Sequence, residues 1–222
     1  MENDFLETLL LTFKLAFVTT SILLVIGVPI AYFLAYTKSK LKPIFETVVS
    51  MPLVLPPTVL GFYLLLFFSP ESILGRFLED SVGFKAVFTF EGLVLGSIIF
   101  SLPFLVQPIQ SGFETIPKSL IEASYTLGKG ELETFFKVLL PNIKPSLITG
   151  VVLSFAHTIG EFGVVLMIGG NIPGETKVAS IAIYDEVEAL NYDIANRYAL
   201  VLLSVSFLIL LIVYTLNKKV RV

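Results

Sequence analysis

Two side chains that can exchange a proton, His157 and Glu161, lie in a stretch, residues 145–174, that has no other charged residue. Their spacing of four would place them on one face of a helix, and ionisable groups in so apolar a segment usually point into a helix bundle. No nucleophile and no second histidine accompanies them, so we expect neither a catalytic residue nor a metal site. We expect Glu161 to fix the packing of its segment, by pairing or by hydrogen bonds to backbone near Gly160 and Gly163.

A second concentration of polar residues, IEASYTLGKGELETFFKVLLP at 121–141, lies between two long uncharged runs. Ser119 and Glu122 have the spacing of a capping box, in which each side chain binds a backbone N–H at the start of a helix. Gly128 stands where a helix end needs a left-handed residue. The pattern predicts a short helix that ends near Gly128 and has small residues on one face.

A second short helix is predicted after Gly130. Glu131 and Glu133 lie in its first turn, where negative charge is favourable, and Pro141 is expected to end it. Residues 114–144 hold four lysines and four glutamates. This balance excludes the basic patch that a DNA-binding helix pair needs for phosphate contacts. A plain solvated connection between two membrane spans is the alternative interpretation.

Composition and hydropathy indicate which elements hold these residues. Hydrophobic residues make up 55% of the 222 residues, charged residues 15%, and the mean hydropathy is +0.88. A soluble domain has about 25% charged residues. The sequence therefore predicts an all-α integral membrane protein with a single domain, residues 1–222, a retained first span and no disulfides. Because about 20 apolar residues cross a bilayer as a helix, five spans are expected, at about 9–37, 47–69, 91–113, 145–168 and 197–217.

The distribution of charge predicts the orientation of the chain in the membrane. One side would hold the loop that begins at residue 38, the polar region 114–144 and the C-terminal tail, with ten basic residues against five acidic ones. The other side would hold five basic and twelve acidic residues. Lysine and arginine in short loops stay in the cytoplasm. We therefore expect an external N-terminus, a cytoplasmic C-terminus and a cytoplasmic polar region.

The polar region also resembles a known signature. Glu122-Ala123-Ser124, Gly128 after three further residues, and Val138-x-Leu140-Pro141 after nine more are similar to the EAA motif of ABC-importer permeases. Ser124 and Val138 depart mildly from the alanine and isoleucine of that motif. The resemblance implies the type I permease fold and a pair of coupling helices that dock on a cytoplasmic ATPase. The residues that it assigns to coupling are Ser119, Glu122, Ala123, Ser124, Gly128, Leu140 and Pro141.

Three further segments, 51–61, 160–163 and 170–176, resemble the molybdate-permease branch of these importers. Permeases for sulfate and thiosulfate are close relatives and share parts of the motifs. The resemblance implies import of molybdate or tungstate across the inner membrane, with sulfate or thiosulfate as the alternative. A secondary transporter would show inverted repeats and coupling-ion ligands, and the sequence shows neither.

Several residues of the expected spans are candidates for the translocation pathway or its gate. Prolines in a span remove backbone donors and free carbonyls that must face protein or water, and a simple packing kink is the other interpretation. A carboxylate facing a dianion would repel it, so Glu161 is not expected to bind the substrate. At His157 related permeases often carry an arginine. The candidates are Pro56, Pro57, Thr58, Ser101, His157, Gly160, Glu161 and Gly163.

The external segments are expected to meet a separate protein. Residues 178–190 predict an amphipathic helix, with Ile181, Ile183, Tyr184 and Val187 on its apolar side. The acidic balance of this side of the membrane does not attract an anion, so delivery by an oxyanion-binding protein is physically reasonable. Solvated loops without a partner are the alternative.

The expected complex follows from the same resemblance. It implies a second copy of this chain, two copies of the ATPase and one external binding protein, all assembled at a lipid membrane without nucleic acid. The sequence contains no G-x-x-x-x-G-K-[ST] phosphate-binding motif. ATP hydrolysis is therefore expected in the partner, and no cofactor is expected in this chain.

Overall fold

The computed structural model describes residues 2–220, apart from the side chains of residues 2, 3, 82 and 216–220. Arg221, one of the basic residues used to predict the orientation, lies outside this range. The described chain is built from helices that pack on one another, and it contains no strand within residues 2–220. This agrees with the predicted all-α class.

Three long helices form the frame of the molecule. They are α1 (Glu2–Tyr36), α5 (Phe90–Glu114) and α12 (Tyr192–Val220). Each is long and apolar enough to cross a membrane. The first two pack against each other, and α5 is the most deeply buried of the three. Their positions agree with the first, third and fifth of the expected spans.

The second expected span, 47–69, is not a single helix. The chain forms α2 (Lys42–Ser50), one turn of 3-10 helix (Met51–Leu53) and α3 (Pro57–Phe68), and the two halves meet at an angle of 109°. Pro56 precedes α3 and Pro57 is its first residue. A proline fixes its own backbone angle and keeps the preceding residue out of the helical region, so two successive prolines end one helix and begin another.

The fourth expected span, 145–168, is also divided. α9 (Lys144–Gly160) ends before Glu161, and α10 (Gly163–Gly169) begins two residues later. In the described residues, three helices pass the length and hydropathy test for a span, or up to five if each of two bent helix pairs is one span. The second of these pairs joins 131–142 to α9 at an angle of 75°.

Shorter helices complete the chain. They are α4 (Ile73–Val82), α6 (Lys118–Thr126), α7 (Glu131–Thr134), a π-helical segment (Phe135–Leu139), α8 (Leu140–Asn142) and α11 (Ala179–Glu188).

The apolar core consists of three clusters in the described residues, of which two lie next to the regions with predicted functional residues and the third joins α1 to α11 and α12. One of the two joins α5 to α10 and α3 and includes Leu93, Val164 and Ile168. The other joins α1 and α5 to the region after α7 and includes Phe113 and Ile143. Each of these two clusters lies next to one of the two regions in which the sequence predicts functional residues. Movement in one of these regions would therefore involve the core beside it.

Candidate functional site

The polar region 114–144 resembles the EAA motif, and we call it the coupling region. Its start differs from the expected capping box. The residue that precedes α6 is Pro117, with φ −60° and ψ 135°, and no side chain caps this end of the helix. Ser119 and Glu122 lie inside α6 and are exposed. Proline fixes the backbone angle at the entry to the helix, so the helix begins earlier than predicted and the Ser119–Glu122 box is not formed.

The turn between the two short helices has the predicted backbone. Gly128 has φ +80°, a left-handed conformation that side chains rarely adopt. Backbone bonds from Leu127 N to the Ala123 oxygen (3.0 Å) and from Gly128 N to the Tyr125 oxygen (2.9 Å) close the end of α6. Gly130 then precedes α7, and Glu131 and Glu133 occupy its first turn as expected. The glycines therefore set a fixed bend.

A buried hydrogen bond joins the two short helices. The hydroxyl groups of Ser124 and Thr134 are 2.8 Å apart, and the side chains are 4% and 1% exposed. The sequence interpretation treated Ser124 only as a small residue that replaces an alanine of the motif. Its pairing with Thr134 was missed, although a serine in the motif and a threonine ten residues later were both visible. The bond explains why a serine is stable in this contact.

Glu133 strengthens the second helix from outside. Its carboxylate accepts hydrogen bonds from Lys129 and Lys137, each at 2.9 Å. These hydrogen bonds and the positive charges of both lysines lower the pKa of Glu133 to about 2. The carboxylate therefore stays ionised throughout the neutral and mildly acidic range. Its contribution to stability would begin to fall as the pH drops below the ordinary carboxyl pKa of 4.5 and would be lost below about 2.

Pro141 does not end the second helix where the sequence predicts. The helical path runs from α7 through the π-helical segment into α8 and ends at Asn142, so Leu140 and Pro141 lie inside it. Leu140 N bonds to the Phe135 oxygen, five residues back. This wider turn changes the hydrogen-bond register just before Pro141, which has no N–H to donate.

Aromatic side chains anchor the coupling region to the long helices. The ring of Phe135 packs edge-on against Tyr32 of α1, with centroids 5.2 Å apart, and lies 6.1 Å from the ring of Phe113 of α5. Tyr36 donates a hydrogen bond from its hydroxyl to the Phe113 carbonyl at 3.0 Å. Leu139 is also buried. Sequence reasoning did not single out these aromatic residues, although they fix the coupling region on α1 and α5.

The outer surface of the coupling region is unusually apolar for an exposed segment. Leu127 is 78% exposed, Leu132 is 75% exposed and Phe136 is 62% exposed. Glu122 and Ala123 of the EAA motif are exposed as well. We call these five exposed residues of the coupling region, Leu127, Leu132, Phe136, Glu122 and Ala123, the docking face. Exposed large apolar side chains in a segment that also carries charge are typical of a protein interaction site when they lie together.

Most of the pathway candidates line one open cleft of about 480 Å³. Pro56 lies just before α3 and is not part of its lining, and Ser101 lies behind His157. The structure therefore brings together candidates from two separate segments of the sequence. The candidates that line the cleft are Pro57, Thr58, His157, Gly160, Glu161 and Gly163, together with Phe100, Ala156 and Phe162.

Glycine allows the two walls of this cleft to approach each other. A Cβ atom on Gly163 would lie 2.8 Å from Pro57 Cβ and 3.1 Å from Thr58 N. On α3, a Cβ on Gly61 would lie 2.8 Å from Met167 Cβ. Gly160 differs, because its Cβ would meet no atom within 4 Å. Gly163 and Gly61 therefore allow close packing of the helices, whereas the space beside Gly160 is open.

His157 is held by neighbours on α5. Its Nδ1 atom is 2.9 Å from the Ser101 hydroxyl, which also lies 2.9 Å from the hydroxyl of Thr158. The imidazole stacks on the Phe104 ring with centroids 3.9 Å apart. The predicted shared helix face of His157 and Glu161 is wrong, because α9 ends at Gly160 and Glu161 has ψ 131°, outside the helical range.

Glu161 does not make the hydrogen bonds that the sequence interpretation expected. The side chain is 3% exposed, and neither carboxylate oxygen has a hydrogen-bond partner in the described residues. Its backbone carbonyl accepts a bond from the Ser180 hydroxyl at 2.5 Å. Glu161 therefore connects α10 to α11 through its backbone, while its carboxyl group is buried and unpaired.

α11 lies on the other side of this backbone contact. Its position agrees with the helix predicted over 178–190, but its exposed face differs from the predicted one. Tyr184 and Val187 are 46% and 41% exposed, so they do not lie on the buried side. The first N–H of the helix, that of Ala179, donates to the Thr12 hydroxyl of α1 at 2.8 Å. Sequence reasoning did not predict this contact, which joins residues far apart in the chain.

The preceding turn is fixed by a polar cluster that sequence reasoning did not identify. Lys177 donates to Asp185 at 2.6 Å, and Asn171 donates to both oxygens of the same carboxylate. Asn171 itself has φ +59°. The cluster holds the turn on α11, and it gives this surface a defined shape.

Known proteins resemble the chain over most of its length. Residues 27–222 match the family model described as a binding-protein-dependent transport system inner membrane component. The chain is 49% identical to the molybdenum transport system permease protein ModB of Azotobacter vinelandii, across 98% of this chain and 96% of that protein. It is 34% identical to the sulfate transport system permease protein CysT of Salmonella typhimurium, across 94% of this chain and 75% of that protein.

Solved structures show the same architecture. The inward-facing MetNI methionine ABC transporter superposes with a TM-score of 0.76 at 21% identity, covering 99% of this chain and 97% of its own. At this identity the likeness shows the fold alone. It confirms the predicted all-α fold of an ABC importer permease.

Proposed function

Because the chain belongs to the family of binding-protein-dependent transport system inner membrane components, we propose that it is the permease subunit of an ATP-driven molybdate importer. The observation that supports molybdate as the substrate is the 49% identity to a molybdenum permease across nearly the whole of both chains. Tungstate, an oxyanion of the same shape and charge, is the second substrate of this class. The permease itself is a multi-pass protein of the inner membrane and is not an enzyme.

Energy for transport would enter through the docking face. Its exposed apolar side chains, led by Leu127 and Leu132, suit a cleft in a partner protein. The EAA motif assigns that partner as the ATPase, and two copies would serve two permease chains. Glu122 lies on the same face and would contact the ATPase rather than cap α6.

The coupling region is built to transmit movement to the long helices. Phe135 contacts Tyr32 of α1, and the helical path 131–142 continues into α9 across a bend of 75°. ATP binding would close the ATPase pair, carry the docking faces together and open the permease to the outside. Hydrolysis and product release would return it to the inward-facing state, which is alternating access.

The translocation pathway would run between two copies of the chain. Each copy would contribute its cleft, with Thr58, His157 and Gly160 on the wall. We place the N-terminus outside and the C-terminus in the cytoplasm, because basic residues concentrate on the side of the coupling region. An oxyanion-binding protein would dock on the external face, where α11 and the Lys177–Asp185 cluster form a fixed surface.

Sulfate is the alternative substrate, and the 34% identity to a sulfate permease is the observation that favours it. The molybdenum relative is more similar and is matched over more of its own length. A secondary transporter is disfavoured by the family itself, whose name describes dependence on a binding protein.

The test is reconstitution of the permease with its ATPase and binding protein in proteoliposomes. We expect molybdate and tungstate to stimulate ATP hydrolysis and molybdate to accumulate inside. Stimulation by sulfate alone would overturn the substrate assignment. If no ATPase co-purifies with the chain and ATP drives no uptake, the importer itself would be excluded.

A further inference from the structure

Glu161 has its carboxyl group sealed inside a single protomer, at the break between α9 and α10. Both carboxylate oxygens are buried and lack a hydrogen-bond partner within residues 2–220. Ser97 of α5 lies beside the carboxyl group, is 0% exposed, and its hydroxyl also lacks a hydrogen bond of ordinary geometry. Because these atoms are inaccessible, a second copy, a lipid or a binding protein cannot provide a counter-charge without a conformational change.

The elements packed around Glu161 bring it no cation. α9 contributes His157, the other titratable side chain of the cleft, whose Nδ1 is already engaged by Ser101. α5 contributes Ser97, and α11 contributes Ser180, whose hydroxyl binds the backbone of Glu161. No lysine or arginine lines the cleft. An ionised carboxylate with no counter-charge, and with only the Ser97 hydroxyl beside it, is strongly disfavoured in a buried position, whereas the neutral acid is tolerated.

The other wall of the cleft has the opposite character. Val59 N and Leu60 N both bond to the Pro56 oxygen, and Pro57 has no N–H. The N–H of Thr58 is left without a partner among the described residues, at the N-terminal end of a helix of 12 residues. The first turn of a helix carries partial positive charge and favours anions. The Thr58 hydroxyl lies at the same place.

We propose that Glu161 carries its proton in the assembled transporter, so that the cleft meets a tetrahedral dianion with a neutral floor and the positive end of α3. This inference rests on the proposed oxyanion transport. It assigns Glu161 the role of keeping negative charge out of the cleft, and it assigns Thr58 the role of donor to the anion. Repulsion by Glu161, which the sequence suggested, is absent because the carboxyl group is neutral.

The charge state can be measured with a cysteine reporter. The chain has no cysteine, and a Cβ on Gly160 would meet no atom within 4 Å, so Gly160→Cys places one thiol next to Glu161. The full complex, with a cysteine-free ATPase, is placed in nanodiscs. The thiol is then labelled at pH 7 with two methanethiosulfonate reagents of similar size, one negative and one positive. The ratio of the two labelling rates reports the local charge.

The informative comparison is this ratio with and without Glu161→Gln in the Gly160→Cys background. If Glu161 is a neutral acid, replacing it with glutamine should change the ratio of labelling rates by less than about two-fold. For an ionised carboxylate beside the thiol, glutamine would favour the negative reagent by more than about ten-fold, and this outcome overturns the proposal. Leu190→Cys, at a side chain that is 70% exposed between α11 and α12, provides the control for reagent access. Adding His157→Gln to both members of the pair shows whether the imidazole contributes.

A second measurement covers the case in which the double variant does not assemble. In Gly160→Cys alone, the rate ratio is followed from pH 5 to pH 9. If Glu161 carries its proton, the ratio of the two labelling rates should stay constant from pH 5 up to neutral pH. Any fall in the labelling rate with the negative reagent should occur only above neutral pH. A change centred near pH 4 to 5, the ordinary carboxyl range, contradicts the proposal.

Transport separates this proposal from the proposed function. Millimolar molybdate should slow labelling of Gly160→Cys several-fold, whereas sodium chloride of equal ionic strength should not. If wild type takes up no molybdate, the substrate assignment fails while the rate ratio still tests Glu161. If wild type transports but molybdate slows labelling no more than sodium chloride does, the role assigned to Thr58 at the cleft fails.

Discussion

The coupling region and the cleft treat their buried polar groups in opposite ways. In the coupling region the buried hydroxyl groups of Ser124 and Thr134 bond to each other. At the cleft the Glu161 carboxyl and the Ser97 hydroxyl beside it are buried without hydrogen bonds in the described structure. Satisfied polar groups rigidify a fold, and unsatisfied ones mark places that change or bind. The difference indicates a firmly fixed helix pair in the coupling region and a less fixed wall at the cleft.

The largest effect is expected when the docking face is charged. Leu127→Glu places a carboxylate on a side chain that is 78% exposed, so the permease should fold but lose its partner. Loss of a central apolar contact costs at least about 2 kcal/mol, which is about 30-fold in affinity. We expect the ATPase to be absent from the purified complex. Leu190→Glu, at an external residue that is 70% exposed, should leave ATPase binding intact.

The next effect concerns the close approach of the cleft walls. Gly163→Ala would put a methyl group 2.8 Å from Pro57 Cβ and 3.1 Å from Thr58 N. Overpacking of this kind costs about 1–3 kcal/mol, and the Tm of the complex should fall by about 5 °C. Gly160→Ala is the matched control and should not lower the Tm, because its methyl group meets no neighbour. Equal Tm values for Gly163→Ala and Gly160→Ala would show that the two glycines do not differ in how closely their neighbours pack.

A smaller effect is expected at Glu122, and it separates contact from folding. Since no capping box forms, Glu122→Gln and Glu122→Arg should both leave the Tm unchanged. Glu122→Arg should lower ATP-driven uptake about ten-fold by reversing charge at the interface, and Glu122→Gln should lower it less. A fall in Tm with either variant would restore the cap as the role of this residue.

The smallest effect tests the buried hydroxyl pair. Ser124→Ala restores the alanine of the motif but leaves the Thr134 hydroxyl buried without its partner, at a cost of about 1 kcal/mol. The Tm should fall by a few degrees. Ser124→Ala combined with Thr134→Val removes both polar groups and should recover part of the loss. A double variant that is less stable than Ser124→Ala would show that the pair does not act as a unit.

Much of the fold was predictable, because long uncharged runs have few alternatives to a helix. The runs that became α1, α5 and α12 show this. The two bent segments were harder to predict. Pro56 and Pro57 predict a kink, but they do not predict its angle of 109°. The packing of α3 on α10 also depends on Gly61 and Gly163, which allow the two helices to approach closely. The break at Glu161 had no local signal except the glycines on either side of it.

The candidate sites divide in the same way. The sequence predicted the turn at Gly128, because short-range backbone rules govern it, whereas the coupling role of Glu122 and Pro141 stays a prediction. The contacts of Phe135 with Tyr32 and of Ser124 with Thr134 depend on side-chain packing, which spacing alone does not encode. The clustering of Thr58 with His157 and Glu161 required the folded chain, since it joins segments about 100 residues apart.

The bond between Thr12 and Ala179 has a consequence for how the protein is made. α11 has no side-chain cap of its own, and its first N–H depends on a hydroxyl that lies 167 residues earlier in the chain. Thr12 leaves the ribosome first, long before α11 is synthesised. The start of α11 is therefore among the last parts of the chain to acquire its final shape. A chain that stops short of α11 would leave the Thr12 hydroxyl without this bond.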